Sequence, residues 1–212
     1  METPRTKLRR LPKRGTHDRE TIDAILDEAL ICHLGFVHDG CPAVIPTLHA
    51  RVGDEVFLHG SAASRMLRAL ATGIEACLTV TLVDGLVLAR SAFHHSVNYR
   101  SVVLYGTATP VTEPEAKERA LEAFTEKLAP GRWAAVRPPT RKELKGTAAL
   151  ALPITEGSAK VRTGPPIDDD EDYALDAWAG VIPIRTQMLP PEPDPTLRAG
   201  IDTPAHVRAL AP

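Results

Sequence analysis

Three glycine-bearing turns set the frame of this chain. Asp39-Gly40, Gly53-Asp54 and Asp84-Gly85 each fall between runs of strand-forming residues. Glycine, and to a lesser degree aspartate, tolerates the positive φ angles that tight hairpins demand. Ile31 to Val37 therefore reads as a strand that turns at Asp39-Gly40 and returns as "CPAVIPTLHARV". Gly53-Asp54 leads into "EVFLHG", and Asp84-Gly85 joins "IEACLTVTLV" to "LVLARSAF" as a second strand pair. "SVVLYGTATPV", one or two segments in "TAALALPITEGSAKVRTG", and a short element in "WAGVIPIRTQ" complete the strands.

Helices are few. Ile22, Ile25, Leu26, Ala29 and Leu30 make one apolar helical stripe. "SAASRMLRALA" is a short helix capped by Ser61 or Ser64. Thr112, Pro114 and Glu115 form a capping box opening a helix that runs to about Leu128, after which Arg132 to Thr140 is proline-broken loop. Short strands at regular spacing with few helices predict a mainly β fold, an antiparallel barrel with helices packed outside it. Alternating βα units with a glycine-rich phosphate loop are absent, which excludes a Rossmann fold. Residues 1–13 read as a flexible basic segment, 14–188 as one domain and 189–212 as a proline-rich extension.

Composition removes several function classes. A hydrophobic content of 43% over 212 residues supports one real core, and a formal charge of -2 gives no global footprint for nucleic acid or an anionic membrane. No stretch approaches the ~20 apolar residues of a membrane helix, and no signal peptide is visible. Cys32, Cys41 and Cys77, odd in number and without paired spacing, argue against a disulfide framework or a closed zinc site and suit a reducing cytoplasm. There is no GxSxG elbow, no HExxH and no spaced carboxylate pair, so the sequence names no catalytic residue and no metal site. The acidic run Asp168 to Asp172 reads most simply as a solvated loop.

One stretch concentrates polar chemistry. In "SAFHHSVNYRSVVLYG", Ser91, Ser96, Asn98, Arg100 and Ser101, with Tyr99 among them, stand where one strand ends and the next begins. Hydroxyls, backbone N–H groups and a forked guanidinium gathered there can cradle a phosphate. A solvated turn in which Arg100 meets a surface carboxylate is the plainer account. "HGSAASRML" supplies a second strand-end cluster: Ser61, Ser64 and Arg65 open a short helix whose N–H groups favour an anion. Met66 and Leu67 beside them fit core positions better than ligand contacts.

"FLHGSAASRML", "AFHHSVNYRSVVLYGTA" and "AWAGVIPIRT" together resemble the FMN-binding split-barrel family related to pyridoxamine 5'-phosphate oxidase, in particular its nitroimidazole-resistance-like branch. The resemblance spans roughly Arg14 to Pro193. It implies a six-stranded antiparallel split β-barrel, a homodimer, and FMN at the subunit interface. By position it assigns Ser64, Arg65, Asn98, Arg100 and Ser101 to the phosphate, and Val44, Ile45, Pro46 and Thr47 to a strand running along the isoalloxazine ring. His59 and Gly60 would stand near the flavin. Trp178 would pack at the dimer interface near the ring or, equally, in the core.

The resemblance also implies limits. The extra basic residues that bind a phosphorylated vitamin B6 substrate have no match in "GPPIDDDEDYALDAWAG", and an acidic loop there would repel such a substrate. The expectation is a cytoplasmic FMN oxidoreductase passing electrons from a reduced nicotinamide or another donor to a small acceptor, nitro-aromatics among the candidates, with neither nucleic acid nor membrane as partner. The competing reading is a non-enzymatic carrier or sensor binding haem or flavin, with deazaflavin a further alternative cofactor. His33, His38 and His49 are most simply core or surface histidines. At most one of His94 and His95 can face a ligand if the strand reaches them, and His59 is the first candidate beside a cofactor.

Overall fold

The computed structural model describes residues 1–211. After a short strand β1 (Gly15–Thr16), helix α1 (Arg19–Glu28) begins at Asp18, whose carboxylate accepts from Thr21 N. It buries Ile22, Ile25 and Leu26; of the rest of the predicted stripe, Ala29 is buried just past the helix end, while Leu30 lies beyond the helix and is exposed, because the chain has already turned towards the next strand. Strands β2 (Ile31–His38), β3 (Cys41–Val52) and β4 (Glu55–Ser61) follow as a meander. Its turns carry positive φ at Asp39, Gly40 and Gly53, where the sequence calls for it. Ser64 caps α2 (Arg65–Leu70) by accepting from Leu67 N.

β5 (Glu75–Leu88) and β6 (Ser96–Thr107) are long partners, followed by β7 (Thr109–Pro110) and α3 (Pro114–Leu128). The chain continues through α4 (Arg141–Gly146), β8 (Thr147–Pro153), β9 (Glu156–Arg162), β10 (Gly180–Pro183) and α5 (Ala205–Arg208). The sheet order is β1-β9-β6-β5-β2-β3-β4-β8-β7, with β10 on β5, and every pairing is antiparallel. β8 and β9 are separated in the chain only by Ile154 and Thr155, yet five strands lie between them in the sheet. The sheet must curl to bring them together. The result is the expected mainly β split barrel, built from ten strands where six were expected; β1, β7 and β10 are short additions at its borders.

Leu34, Val56, Leu58, Leu78, Val80, Val102, Leu104 and Leu152 fill the barrel, and α1 with Leu67 and Leu70 of α2 closes it. Alternation places these residues on one face of each strand. The N-terminal segment lies on the opposite face, where Arg5 bonds Glu75 and Glu156 and stacks over Tyr105.

Three local expectations are corrected. Asp84-Gly85 is not a hairpin turn: β5 runs through it as one strand with a bulge between Val83 and Gly85. β10 lies directly against Gly85, where an added Cβ would meet Ile182 O at 3.0 Å. The helix α3 starts at Pro114 with Glu113 as its uncapped N-cap, so the Thr112–Glu115 capping box does not form. A capping box does form at Thr140 and Glu143, opening α4 at the end of the stretch read as loop.

Candidate functional site

The barrel opens between β3 and β4. These strands pair only from His49 opposite Leu58 to Val52 opposite Glu55. Towards the other end β3 stays with β2 while β4 stays with β8. Residues 41–48 of β3 therefore keep one backbone edge without a strand partner, and Val44, Ile45, Pro46 and Thr47 lie on it. Val44 is 64% and Ile45 36% exposed. An unpaired strand edge is a row of donors and acceptors available to a polar ligand rim.

The start of α2 faces this opening. Ser64, Arg65 and Met66 line a groove of about 540 Å³ with Phe36, Ala43, Ile45, Pro42, Cys41, His38 and Asp39. Ser61 Oγ accepts from Ala63 N and Ser64 Oγ from Leu67 N, so both hydroxyls shape the turn into α2. The groove joins one guanidinium to an apolar wall, the pairing that an anion with a flat apolar body requires.

His59 and Gly60 stand on the β4 side of the opening. Leu48, His59, Leu121, Phe124, Thr125, Leu128, Trp133, Val136, Arg137, Pro139 and Glu143 enclose a cavity of about 430 Å³ between the sheet and α3. The His59 and Phe124 rings lie 4.0 Å apart, centre to centre. Nδ1 of His59 is shut off without a hydrogen-bond partner, which leaves Nε2 as the nitrogen open to the cavity. Desolvation holds the imidazole below its ordinary pKa, which favours the uncharged form, the one that ligates a metal. Apolar walls and an imidazole that burial holds short of its proton fit a haem; the Arg137 guanidinium at the rim is paired with Glu143. The open β3 edge with Ser64 and Arg65 fits a flavin phosphate and ring.

The second phosphate cradle expected from the sequence is corrected. Arg100 is held by two carboxylates: Nε and Nη2 donate to Asp84 at 2.9 and 2.8 Å, and Nη2 also donates to Glu28 at 2.7 Å. The Asn98 amide is buried, donating to Gly164 O and accepting from Arg162. Ser101 Oγ donates to Lys160 O. Ser96 and Tyr99 are half-buried on the same strand. Nor does one hollow hold both arginines within the chain. Phe36, which lines the Arg65 groove, pairs with Ala76 of β5, while Arg100 pairs with Leu82. Six residues of strand are roughly 20 Å.

Other residues separate clearly. Trp178 is 69% exposed, which removes a core role. His49 is fully buried with Nε2 against Leu26 O. His94 pairs with Asp169, and His95 Nδ1 meets Ser91 O. The acidic loop is not wholly solvated: the Asp168 side chain is buried and accepts from Arg90 N and Nη1. Sequence reasoning missed the α3 wall of the His59 cavity. The only signal for it was Phe124 at helical spacing from Ala120 and Leu128.

A split barrel with a ligand groove in its split defines the class. A family model described as pyridoxamine 5'-phosphate oxidase matches residues 18–161. The chain belongs to that family. Among solved structures it is similar to the flavocytochrome Anf3 of Azotobacter vinelandii, with 46% identity over 98% of this chain and 97% of that one and a TM-score of 0.93. It is similar also to the FAD and haem binding protein of Mycobacterium smegmatis, with 43% identity over 93% and 97% of the two chains and a TM-score of 0.90. A 5-nitroimidazole antibiotic resistance protein of Bacteroides thetaiotaomicron shares 19% identity over 69% of this chain and 86% of that one, TM-score 0.60, a likeness in fold alone. No curated protein matches. Among the described residues no helix is long and apolar enough to cross a membrane.

Proposed function

We propose that this protein is a redox protein that binds both a flavin and a haem and works as a pair of identical subunits. The observation that carries the reading is the His59 imidazole, unpartnered at Nδ1 and open at Nε2, in an apolar cavity beside the split. The two similar proteins whose names join flavin or FAD to haem or cytochrome support it. When bound, a flavin accepts electrons in pairs and a haem passes them singly, so together they couple a two-electron donor to a one-electron outlet.

The chain's own residues would do the following. Arg65 and the α2 backbone N–H groups would hold the flavin phosphate side, and the free edge of Val44–Thr47 would hold the ring's polar rim. FAD is the preferred form, in place of the FMN expected from sequence, since the mycobacterial relative is named for FAD. His59 would supply a nitrogen ligand, with Phe124 fixing its ring plane, while Arg137 at the rim is already paired with Glu143. Ile45 of the groove and Leu48 of the cavity are three residues apart on β3, about 10 Å, so the two cofactors would be close neighbours. Exposed apolar side chains such as Val44 on the open edge and Val37 on the adjoining β2 suit burial by a second subunit. Reduced nicotinamide is a suitable donor and a small oxidant the acceptor; the acidic segment at 168–172 disfavours a phosphorylated one.

The test is the absorbance of the purified protein followed by His59→Ala. Flavin and Soret bands in the parent chain, with the Soret band alone lost in the variant, are expected. A flavin spectrum with no haem uptake leaves a flavin-only oxidoreductase. Haem retained by the variant removes His59 from its role.

A further inference from the structure

We infer that the C-terminal arm, residues 185–202, packs against a second copy of this chain and clasps the dimer. The inference rests on the paired-subunit reading above. Both ends of the arm are fixed on their own subunit. At its root β10 pairs with β5, and Ile184 N donates to Asp84 O. At its far end α5 brings His206 against the Gly131 turn that follows α3, where an added Cβ at Gly131 would lie 3.5 Å from the histidine.

Between those anchors the arm touches little. Its hydrogen bonds, from Leu197 N to Asp194 O and from Thr196 to Asp194, stay within the arm. Yet it carries Met188, Leu189, Leu197 and Ile201, all between 45% and 74% exposed. Disordered linkers are poor in such side chains because nothing buries them, whereas a segment that docks on a partner needs them.

The second copy is the occupant that the surroundings favour. The arm grows out of an apolar strip on the sheet: Leu86 and Ile182 stand opposite each other across β5 and β10, with Val83 two residues before Gly85, all exposed. In a twofold pair the arm of each subunit meets the strip of the other, so one complementary match is used twice. A stable interface takes about 20–30 residues from each side. The 18 residues of the arm, added to the strip, reach that size. The four prolines at 190, 191, 193 and 195 keep the segment extended and lower the entropy lost on docking.

The test uses the full chain. Met188→Asp, Leu189→Asp and Leu197→Asp are combined, and the self-association constant is measured by sedimentation velocity beside hydrogen exchange of the arm amides. At least tenfold weaker dimerisation is expected with far-UV circular dichroism unchanged. In the parent chain, exchange of the arm should be slowed only at concentrations where the dimer forms. A dimer of unaltered affinity, or arm amides that exchange freely in the parent dimer, overturns the clasp and leaves the paired reading standing. A parent chain that stays monomeric at every concentration overturns both.

Discussion

Lys127 Nζ lies 3.3 Å from His49 Nε2 and 2.7 Å from Leu26 O, so α3 pins the end of α1 through a cation set beside an imidazole. Burial, reinforced by the Lys127 charge, pushes His49 down to about 4 from its ordinary 6.5. Burial also brings Lys127 down to about 8. Both groups hold protons more weakly folded than unfolded, so both make stability rise with pH. The His49 contribution is whole above pH 6.5 and is lost as pH falls towards 4; that of Lys127 is recovered only as pH climbs from about 8 to its unfolded value. Denaturant titrations of the parent chain should show a loss on the order of 3 kcal/mol between pH 6.5 and 4. His49→Gln should flatten that slope while leaving its upper end near the parent value.

Arg100 binds two acidic groups that no other cation among the described residues pairs with. Arg100→Ala leaves Glu28 and Asp84 facing a common space without their cation. The pairs are partly exposed, so the loss is about 1–2 kcal/mol after solvent screening. Lysine restores only part of it because an ammonium lacks the planar fork. The guanidinium also holds both carboxyls below their usual range. That stabilisation is present above their unfolded values and disappears as pH falls through the depressed folded ones. Thermal unfolding at neutral and acid pH reads both effects: the gap between parent and Arg100→Ala should shrink in acid.

How much of this was legible follows from range along the chain. The α1 stripe from Ile22 to Ala29, the Asp39-Gly40 and Gly53 turns and the Ser64 cap depend on neighbours within a few residues, and each is where the sequence places it, with Leu30 alone falling outside the stripe. Arg100 depends on Glu28, 72 residues away, and Asn98 on Arg162, 64 away. A guanidinium looks the same in sequence whether a phosphate or a carboxylate awaits it. Asp84-Gly85 carried a turn signature, but β10 arrives from almost a hundred residues downstream to hold β5 straight through it. His59 could be singled out in the sequence as a candidate beside a cofactor; the α3 wall that makes its surroundings apolar could not.

Gly157 is required by space. An added Cβ would lie 2.4 Å from Leu104 Cδ2 and 2.7 Å from Val103 O, and the second contact is backbone. Gly157→Ala must push β9 from β6 and should cost about 1–3 kcal/mol. Gly35 on β2 is the control, since its nearest neighbour would be Cys77 O at 3.6 Å. Gly35→Ala should change the denaturation midpoint of the monomer little, and a larger effect at Gly35 than at Gly157 would contradict the packing described.

Arg65 is the remaining guanidinium of the sequence argument and lines the groove beside the unpaired β3 edge. Ser64 is already engaged as the helix cap, so charge recognition in the groove falls to Arg65 and the α2 N–H groups. A charge-assisted bond to phosphate is worth about 1.5–3 kcal/mol. Arg65→Ala should therefore weaken binding of FMN or FAD by about 10- to 150-fold. Riboflavin, which offers the same ring to Val44–Thr47 but has no phosphate, should bind both forms alike. Fluorescence titration of the apoprotein with the three ligands separates the cases. Equal losses for riboflavin and FMN would mean that Arg65 shapes the groove and does not grip an anion.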